Sequence, residues 1–367
     1  MFETEVKAAE VVLDIATVLQ PQAVRAGERL MTGIFERSGA TGAAARIFSQ
    51  VAPAKAAESF LPKLVMSDAK RTLARGTDLG WEAERMNSYL PKNVSVVGKL
   101  ERGKRGAWLA EAGDGSPHVV KLVSHDDVRT QINLSSEASR AVNSSLTPTP
   151  KYEAIGYQEF FGSWYMQEFI PGTPAAGPSS KLIGELSALN ERQTGKAIEG
   201  ATDWSGKVMD SLYHDSENWY DRLASSGQNG WELAAKVKDL TAPNRSLALR
   251  SSDIVHGDFQ HYNALVNKSG NLAAYVDWDG AGRGDRGFDL ARLYTDACVS
   301  ESEIGYSADH RLLHELNNHI AEISGPAARD NFMGYWALQI GNFGLWHGEE
   351  DARMFINVGH SILDVLK

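Results

Sequence analysis

The stretch "HGDFQHYNALV" (256–266) sets a histidine, a glycine, an aspartate and an asparagine directly ahead of an apolar run. It is either a polar loop or a reactive site mounted on a strand. "ALV" (264–266) and "LAAYVDW" (272–278) read as two strands, and "NKSGN" between them supplies the turn. A hairpin centred near Gly270 sets Asn263 opposite Asp277 at its open end. An amide oxygen and a carboxylate are hard ligands suited to Mg2+. Asp258 lies just upstream, in the loop that feeds the first strand. Three oxygen-bearing side chains therefore converge, and the chemistry open to them is that of a cation held beside a further carboxylate. A one-residue slip in register would move Asp277 out of line.

The elements that must position these groups follow from pattern. Over 89–168, "VSVVGKL", "GAWLAEA" and "PHVVKLV" are short strand-like runs, and "GDG" at 113–115 makes a hairpin turn. "SWYMQEFIPG" (163–172) reads as a further strand that ends at Pro171-Gly172. From 169 to 367 the pattern is mostly helical, interrupted by the loop and hairpin at 256–289. Residues 1–88 are rich in Ala, Glu, Lys and Arg. There, Val11, Val12, Ile15, Val18 and Leu19 recur at helical spacing and give one apolar face. That face calls for a partner, either the rest of the chain or a second copy in a homodimer.

Composition narrows the class. With 367 residues and 43% hydrophobic content the chain can build more than one structural unit. A net charge of −10 argues against a groove that tracks a nucleic-acid backbone. Cys298 stands alone, so no internal disulfide forms, which suits a reducing compartment. No window has the length and apolarity of a membrane span, and the first residues lack a basic-then-apolar leader, so a cytoplasmic location is expected.

The step from Asp258 to Asn263 matches the spacing of the kinase catalytic loop. Together with "DWDGAGRGDRGFDLARL" (277–293), it resembles the aminoglycoside phosphotransferase and choline kinase group of small-molecule kinases. In that group an HGD…N loop is followed by an (I/V)DW…GD…DLA segment. The resemblance is close over 256–293, looser over 94–172 and absent from 1–88. It implies an α+β, two-lobed, protein-kinase-like fold with an additional N-terminal helical region. The strand-rich lobe would be 89–168 and the helical lobe 169–367. It also implies ATP or GTP as phosphoryl donor, Mg2+, and a small hydroxylated acceptor. Asp258 then orients and deprotonates the acceptor hydroxyl, while Asn263 and Asp277 hold metal.

The same resemblance guides the reading of the strand-rich region. Lys121 in "HVVKLV" takes the place of the strand lysine on the phosphates, and Glu137 in "TQINLSSEASRAV" that of its helix partner. By itself Lys121 reads as an edge-strand lysine that discourages aggregation. Gly103 and Gly106 in "LERGKRGAWLA" either cover the nucleotide phosphates with backbone N–H groups or simply turn a hairpin. The backbone of Glu168, Phe169 and Ile170 takes the place of the hinge that meets adenine, although an ordinary strand exit has the same pattern. His256 is read as a packing residue of the loop, Asp279 as a turn cap, and Asp285 and Asp289 as structural aspartates. The acids of "HGEEDAR" (347–353) suit a first helical turn or a cationic acceptor.

Two departures from protein kinases bear on the acceptor. Gly257 replaces the arginine of their H-R-D loop, and only "GAGRGDRG" (280–287) separates "DWD" from the helix-like "FDLARL". Little chain remains to dock an extended peptide, which favours a small acceptor and constitutive activity. A kinase acting on peptide or protein, gripped by 1–88, is the alternative. A third reading, an inert nucleotide-binding or scaffolding protein, sits poorly with an intact Lys, Asp, Asn and Asp set.

Overall fold

The alternation over 94–123 becomes part of a five-stranded antiparallel sheet in the computed structural model, which describes residues 84, 87–88, 90–100, 107–123, 128–144, 148–158, 162–305 and 309–366. The apolar face and homodimer contact expected on 1–88, and the glycines Gly103 and Gly106, lie outside the described residues. The sheet comprises β1 (Val94–Lys99), β2 (Ala107–Ala112), β3 (Pro117–Val123), β4 (Tyr152–Gln158) and β5 (Gly162–Glu168), ordered β1-β2-β3-β5-β4. Period-two alternation sorts its side chains onto two faces. Trp108, Ala110, Val120, Trp164 and Met166 pack with Leu90 and Val94 in one cluster, and Ala107, Leu109, Val119 and Phe169 form another. The turn expected at 113–115 is present, with Gly115 at φ +85°.

The chain divides into two compact units. One runs up to Val128 and adds Tyr152–Thr173; the other comprises Arg129–Lys151 and Pro174–Lys367. A boundary at 168/169 would have left helix α1 (Val128–Val142) with the strands. Instead Ala138 and Val142 of α1 belong to the core of the helical unit. The segment after α1 is tied there too: Ser139 Oγ donates to the Pro150 carbonyl at 2.8 Å, and Tyr275 N–H donates to that of Pro148 at 3.2 Å. Periodicity identifies a helix with an apolar stripe, but not which layer the stripe meets.

The helical unit continues with β6 (Thr173–Pro174), α2 (Ser180–Glu191), β7 (Thr202–Asp203), α3 (Trp204–Tyr213), α4 (Trp219–Ser225) and α5 (Gln228–Thr241). Then come β8 (Asp253–Val255), β9 (Ala264–Val266), β10 (Leu272–Tyr275) and β11 (Gly282–Gly284). It closes with α6 (Gly287–Ile304), α7 (His310–Ser324), α8 (Pro326–Leu345) and α9 (Glu349–Asp364). Caps begin several helices: Ser179 accepts from Leu182 N–H and Asp203 from Gly206 N–H. Helix α8 buries Phe332, Met333, Trp336, Leu338 and Ile340 around most of its circumference, so it is the central helix of the unit. The acids of "HGEEDAR" form the first turn of α9. None of the described helices is long and apolar enough to cross a membrane.

The β9–β10 hairpin forms where expected, in a different register. Ala264 faces Tyr275, and Val276 N–H donates to the Asn263 carbonyl at 2.9 Å. Asn263 is therefore opposite Val276, with Asp277 one residue beyond. The turn centres on Ser269 rather than Gly270, with Leu272 opposite Val266, and an extra residue on β10 between Leu272 and Ala274 recovers one of the two positions lost by that shift.

Candidate active site

Strand β8 delivers the chain to His256, and α6 pins the loop that follows. The Asp289 carboxylate is fully buried and accepts two successive loop amides, His256 N–H at 2.7 Å and Gly257 N–H at 3.0 Å. Gln193 Nε2 donates to the same carboxylate at 2.8 Å. Burial pushes the Asp289 carboxyl above its usual range, and the nearby His256 and the three N–H donors oppose that rise. The helix-start aspartate thus serves the loop upstream; the first turn of α6 is capped by Asp285, which accepts Gly287 N–H at 2.9 Å.

His256 ties the loop to the far strand. Its Nε2–H donates to the Val276 carbonyl at 3.1 Å, which leaves Nδ1 to accept Asp258 N–H at 3.3 Å. The ring packs edge-on against Tyr275 and Trp278. Gly257 adopts φ +82°, a conformation that disfavours other residues. A Cβ there would press into the Trp204 ring and stand 2.8 Å from the Gly280 carbonyl oxygen. That carbonyl is the acceptor for Trp204 Nε1–H at 3.0 Å. One indole therefore fastens the Asp258 loop to the segment after Asp277. Gly257→Ala should destabilise the enzyme by about 2–5 kcal/mol, combining roughly 1–2 for left-handed backbone with about 1–3 for overpacking. Denaturant unfolding measures this, and an unchanged midpoint would mean that the loop takes another path.

At the centre stands Asp258, with its side chain 47% exposed. Oδ2 accepts Gln260 Nε2 at 2.7 Å and Asn263 Nδ2 at 3.3 Å. Oδ1 accepts Arg292 Nε at 3.3 Å. Asn263, nearly buried, also gives Nδ2 to the Asp258 carbonyl at 2.8 Å. Its amide nitrogen is committed to Asp258, so Oδ1 is the end of the side chain available to a cation. Tyr275, whose hydroxyl burial holds far above its ordinary pKa, donates to the Gln260 carbonyl at 3.2 Å. Asp277 is half-buried in left-handed backbone, φ +66°, and turns the chain out of β10 into Trp278–Gly280.

The other predicted residues are distributed between the two units. Lys121 is half-buried on β3, with Nζ 5.9 Å from the centre of the Tyr165 ring. Glu168 is exposed at the end of β5, Phe169 is buried against that sheet, and Ile170 is half-buried. Glu137 is exposed on α1, in the helical unit. Asp258 and Asn263 are in direct contact, with Asp277 just past Asn263's strand partner. Sequence reading missed Arg292 and Gln260. One signal for Arg292 exists: it follows Asp289 by three positions, so both occupy one face of α6. That face meets the loop, Asp289 at its amides and Arg292 at its carboxylate.

The sequence matches the phosphotransferase enzyme family over residues 101–320, more than half of the chain. It matches no curated protein. Solved structures that share its fold include aminoglycoside phosphotransferase APH(4)-Ia, 16% identical with a TM-score of 0.58 over 79% of this chain and 99% of that one. A microcompartment-associated aminopropanol kinase is 14% identical, with a TM-score of 0.56 over 78% and 95% of the two chains. Amicoumacin kinase hAmiN, solved with AMP-PNP, Ca2+ and Ami, is 14% identical, with a TM-score of 0.53 over 81% and 96%. At these identities the likeness is one of fold, and the fold is two-lobed and kinase-like.

Proposed function

This chain belongs to the phosphotransferase enzyme family, and from that premise we propose that it phosphorylates a hydroxyl of a small molecule with Asp258 as the base. As a family member it is an enzyme that transfers phosphoryl to an alcohol group. The acceptor class we propose is an aminoglycoside-like antibiotic, an amino alcohol or a sugar, and the donor ATP or GTP. The observation that carries this reading is the Asp258–Asn263 contact, which sets a half-exposed carboxylate beside a metal-ligand amide on a rigid loop.

The residues fit a divalent cation that arrives with phosphate. Asn263 Oδ1 and the Asp277 carboxylate are hard oxygen donors. Among the described residues no three His, Cys, Asp or Glu side chains form a metal-holding group, so this pair is too small to cage a cation alone. Mg2+ typically uses one or two protein oxygens together with substrate phosphates and, when bound, would offset the phosphate charge. Lys121 would hold the phosphates with Glu137 as its partner, Gly103 and Gly106 would cover them, and the Glu168–Ile170 backbone would meet the base. Asp258 accepts the acceptor's hydroxyl hydrogen and aims its oxygen, so positioning supplies most of the catalysis.

A small acceptor is supported by the chain after Asp277. Within residues 280–287, Gly282 pairs with both Thr202 and Val255, and Arg283 with Asp203 and Ile254. Asp285 accepts from Arg250, Gly287 and Ser324. Every step is bonded into the helical unit, and no free segment remains to lay out a peptide. The test is nucleotide consumption, with ATP and GTP, across aminoglycosides, amino alcohols, sugars and a protein fraction. Turnover on one small class supports the reading; label transferred only to protein replaces it with the peptide-kinase reading.

Asn263→Ala and Asp277→Ala should each weaken Mg2+-dependent nucleotide binding, Asp277→Ala more because it removes a full charge. Titration calorimetry with and without Mg2+ decides. Equal affinity in both conditions and both variants would place the metal elsewhere.

A further inference from the structure

Asp258 lies on a loop and is half-exposed, yet its two oxygens are held from three directions. Gln260 and Asn263 meet Oδ2, and Arg292 meets Oδ1. Arg292 also gives Nη2 to Gln260 Oε1 at 2.6 Å. Asp258, Gln260 and Arg292 therefore close a ring, and one orientation of the Gln260 amide satisfies both neighbours: oxygen to the guanidinium, nitrogen to the carboxylate. The arginine is itself fixed. Its side chain is 12% exposed, and its guanidinium lies 5.1 Å from the centre of the Trp336 ring. Trp336 is buried in α8, and its Nε1–H donates to the Phe288 carbonyl at 3.3 Å. An exposed ion pair between two flexible chains contributes about 0–1 kcal/mol. This pair differs because one partner is packed against a core aromatic and linked through a second amide.

We propose that Arg292 is the positioning residue for Asp258, setting the carboxylate's plane through Nε and, by way of Gln260, through Nη2. The proposal rests on Asp258 being the base. Asn263 cannot perform this task alone, since its amide reaches only Oδ2, at 3.3 Å, and leaves Oδ1 unheld. With Oδ1 held from α6 and Oδ2 by Gln260 and Asn263 of the loop, the exposed side of Asp258 faces the acceptor hydroxyl in one orientation. A guanidinium is required because it presents Nε and Nη2 in a fixed fork, whereas a lysine offers a single point charge.

The test uses MgATP with water as the acceptor, read as phosphate released in a single turnover by the full-length enzyme. Arg292→Met keeps the stem over Trp336 and removes the fork. It should lower the rate by about 10–100-fold, the scale of a misplacement of around 1 Å, and leave nucleotide affinity unchanged. Arg292→Lys should recover only part of the loss. Gln260→Leu, which leaves the Trp336 contact intact, should show an intermediate loss and keeps the test decisive if Arg292→Met does not fold. In an Asp258→Asn background, Arg292→Met should add little further loss, because the arginine acts only through that carboxylate. Equal fold-losses in both backgrounds, or wild-type rates in Arg292→Met and Gln260→Leu, overturn the positioning role. A wild-type rate in Asp258→Asn alone, or no release by the wild-type enzyme, overturns the base assignment beneath it.

Discussion

Asp258→Asn should fold, bind nucleotide like the wild type, and lose about 10²–10⁴-fold in kcat, the range general-base assistance supplies. The substitution is nearly isosteric. Asn can still accept at Oδ1, so the Arg292 contact survives in part. The backbone bonds of residue 258, from its N–H to His256 Nδ1 and from Asn263 Nδ2 to its carbonyl, do not involve the side chain. The loop should therefore stay in place while the proton acceptor disappears. Circular dichroism and nucleotide calorimetry establish the intact fold, and initial rates with the acceptor found by screening give kcat. Unimpaired turnover in a folded variant would remove Asp258 from the chemistry.

Asp289→Asn acts on the same loop from beneath and should be more damaging to the fold. The wild-type carboxylate receives His256 N–H, Gly257 N–H and Gln193 Nε2–H with no solvent access. An amide of the same shape offers one acceptor oxygen and turns an NH2 group toward at least one of those donors. Each buried donor left unsatisfied costs about 1–3 kcal/mol. We expect a total near 3–5 kcal/mol, in the range seen when a buried charged network is broken. At about 2–4 °C per kcal/mol for a unit of this size, the melting temperature should fall by roughly 6–20 °C. Activity should fall with it even below the melting point, because the released amides are those immediately before Asp258. Scanning calorimetry paired with turnover at low temperature separates the two effects. A variant as stable as the wild type would show that loop and α6 are held together by other contacts.

These two aspartates were unequally legible in the sequence. Asp258 and Asn263 are separated by a spacing that a single loop carries, so pattern was sufficient to bring them together. Asp289 was read as a structural aspartate at a helix start, and its position in α6 is as expected. Its partners, however, are amides some thirty residues upstream, in the loop after β8, and only the folded contact between α6 and that loop discloses them. Arg292 escaped notice for the same reason. A charged residue in an amphipathic helix looks solvated until the element crossing it is known. The strand-rich unit was largely readable because alternating residues fall on opposite faces whatever the neighbouring layers do. The hairpin register was not, since neither the centring of the turn on Ser269 nor the bulge in β10 that partly offsets it leaves a mark in composition. Helix α1 was seen as a helix, but its stripe of Ala138 and Val142 does not by itself specify the surface it covers.

The indole of Trp204 also constrains the history of the chain. A Cβ on Gly282 would stand 2.7 Å from Trp204 Cδ1, one on Gly284 would stand 3.3 Å from its Cβ, and one on Gly257 would enter the ring itself. Three glycines on two segments, Gly257 in the loop and Gly282 and Gly284 on β11, thus crowd one side chain, with the Thr202 carbonyl and Val255 closing in on the strand pair as well. A lineage that changes any of them first meets the indole; one that shrinks the indole first opens a cavity beside the reactive loop. A smaller residue at 204 would still leave the Thr202 carbonyl against Gly282, Val255 against Gly284 and left-handed backbone at Gly257, so the glycines are expected to outlast the indole.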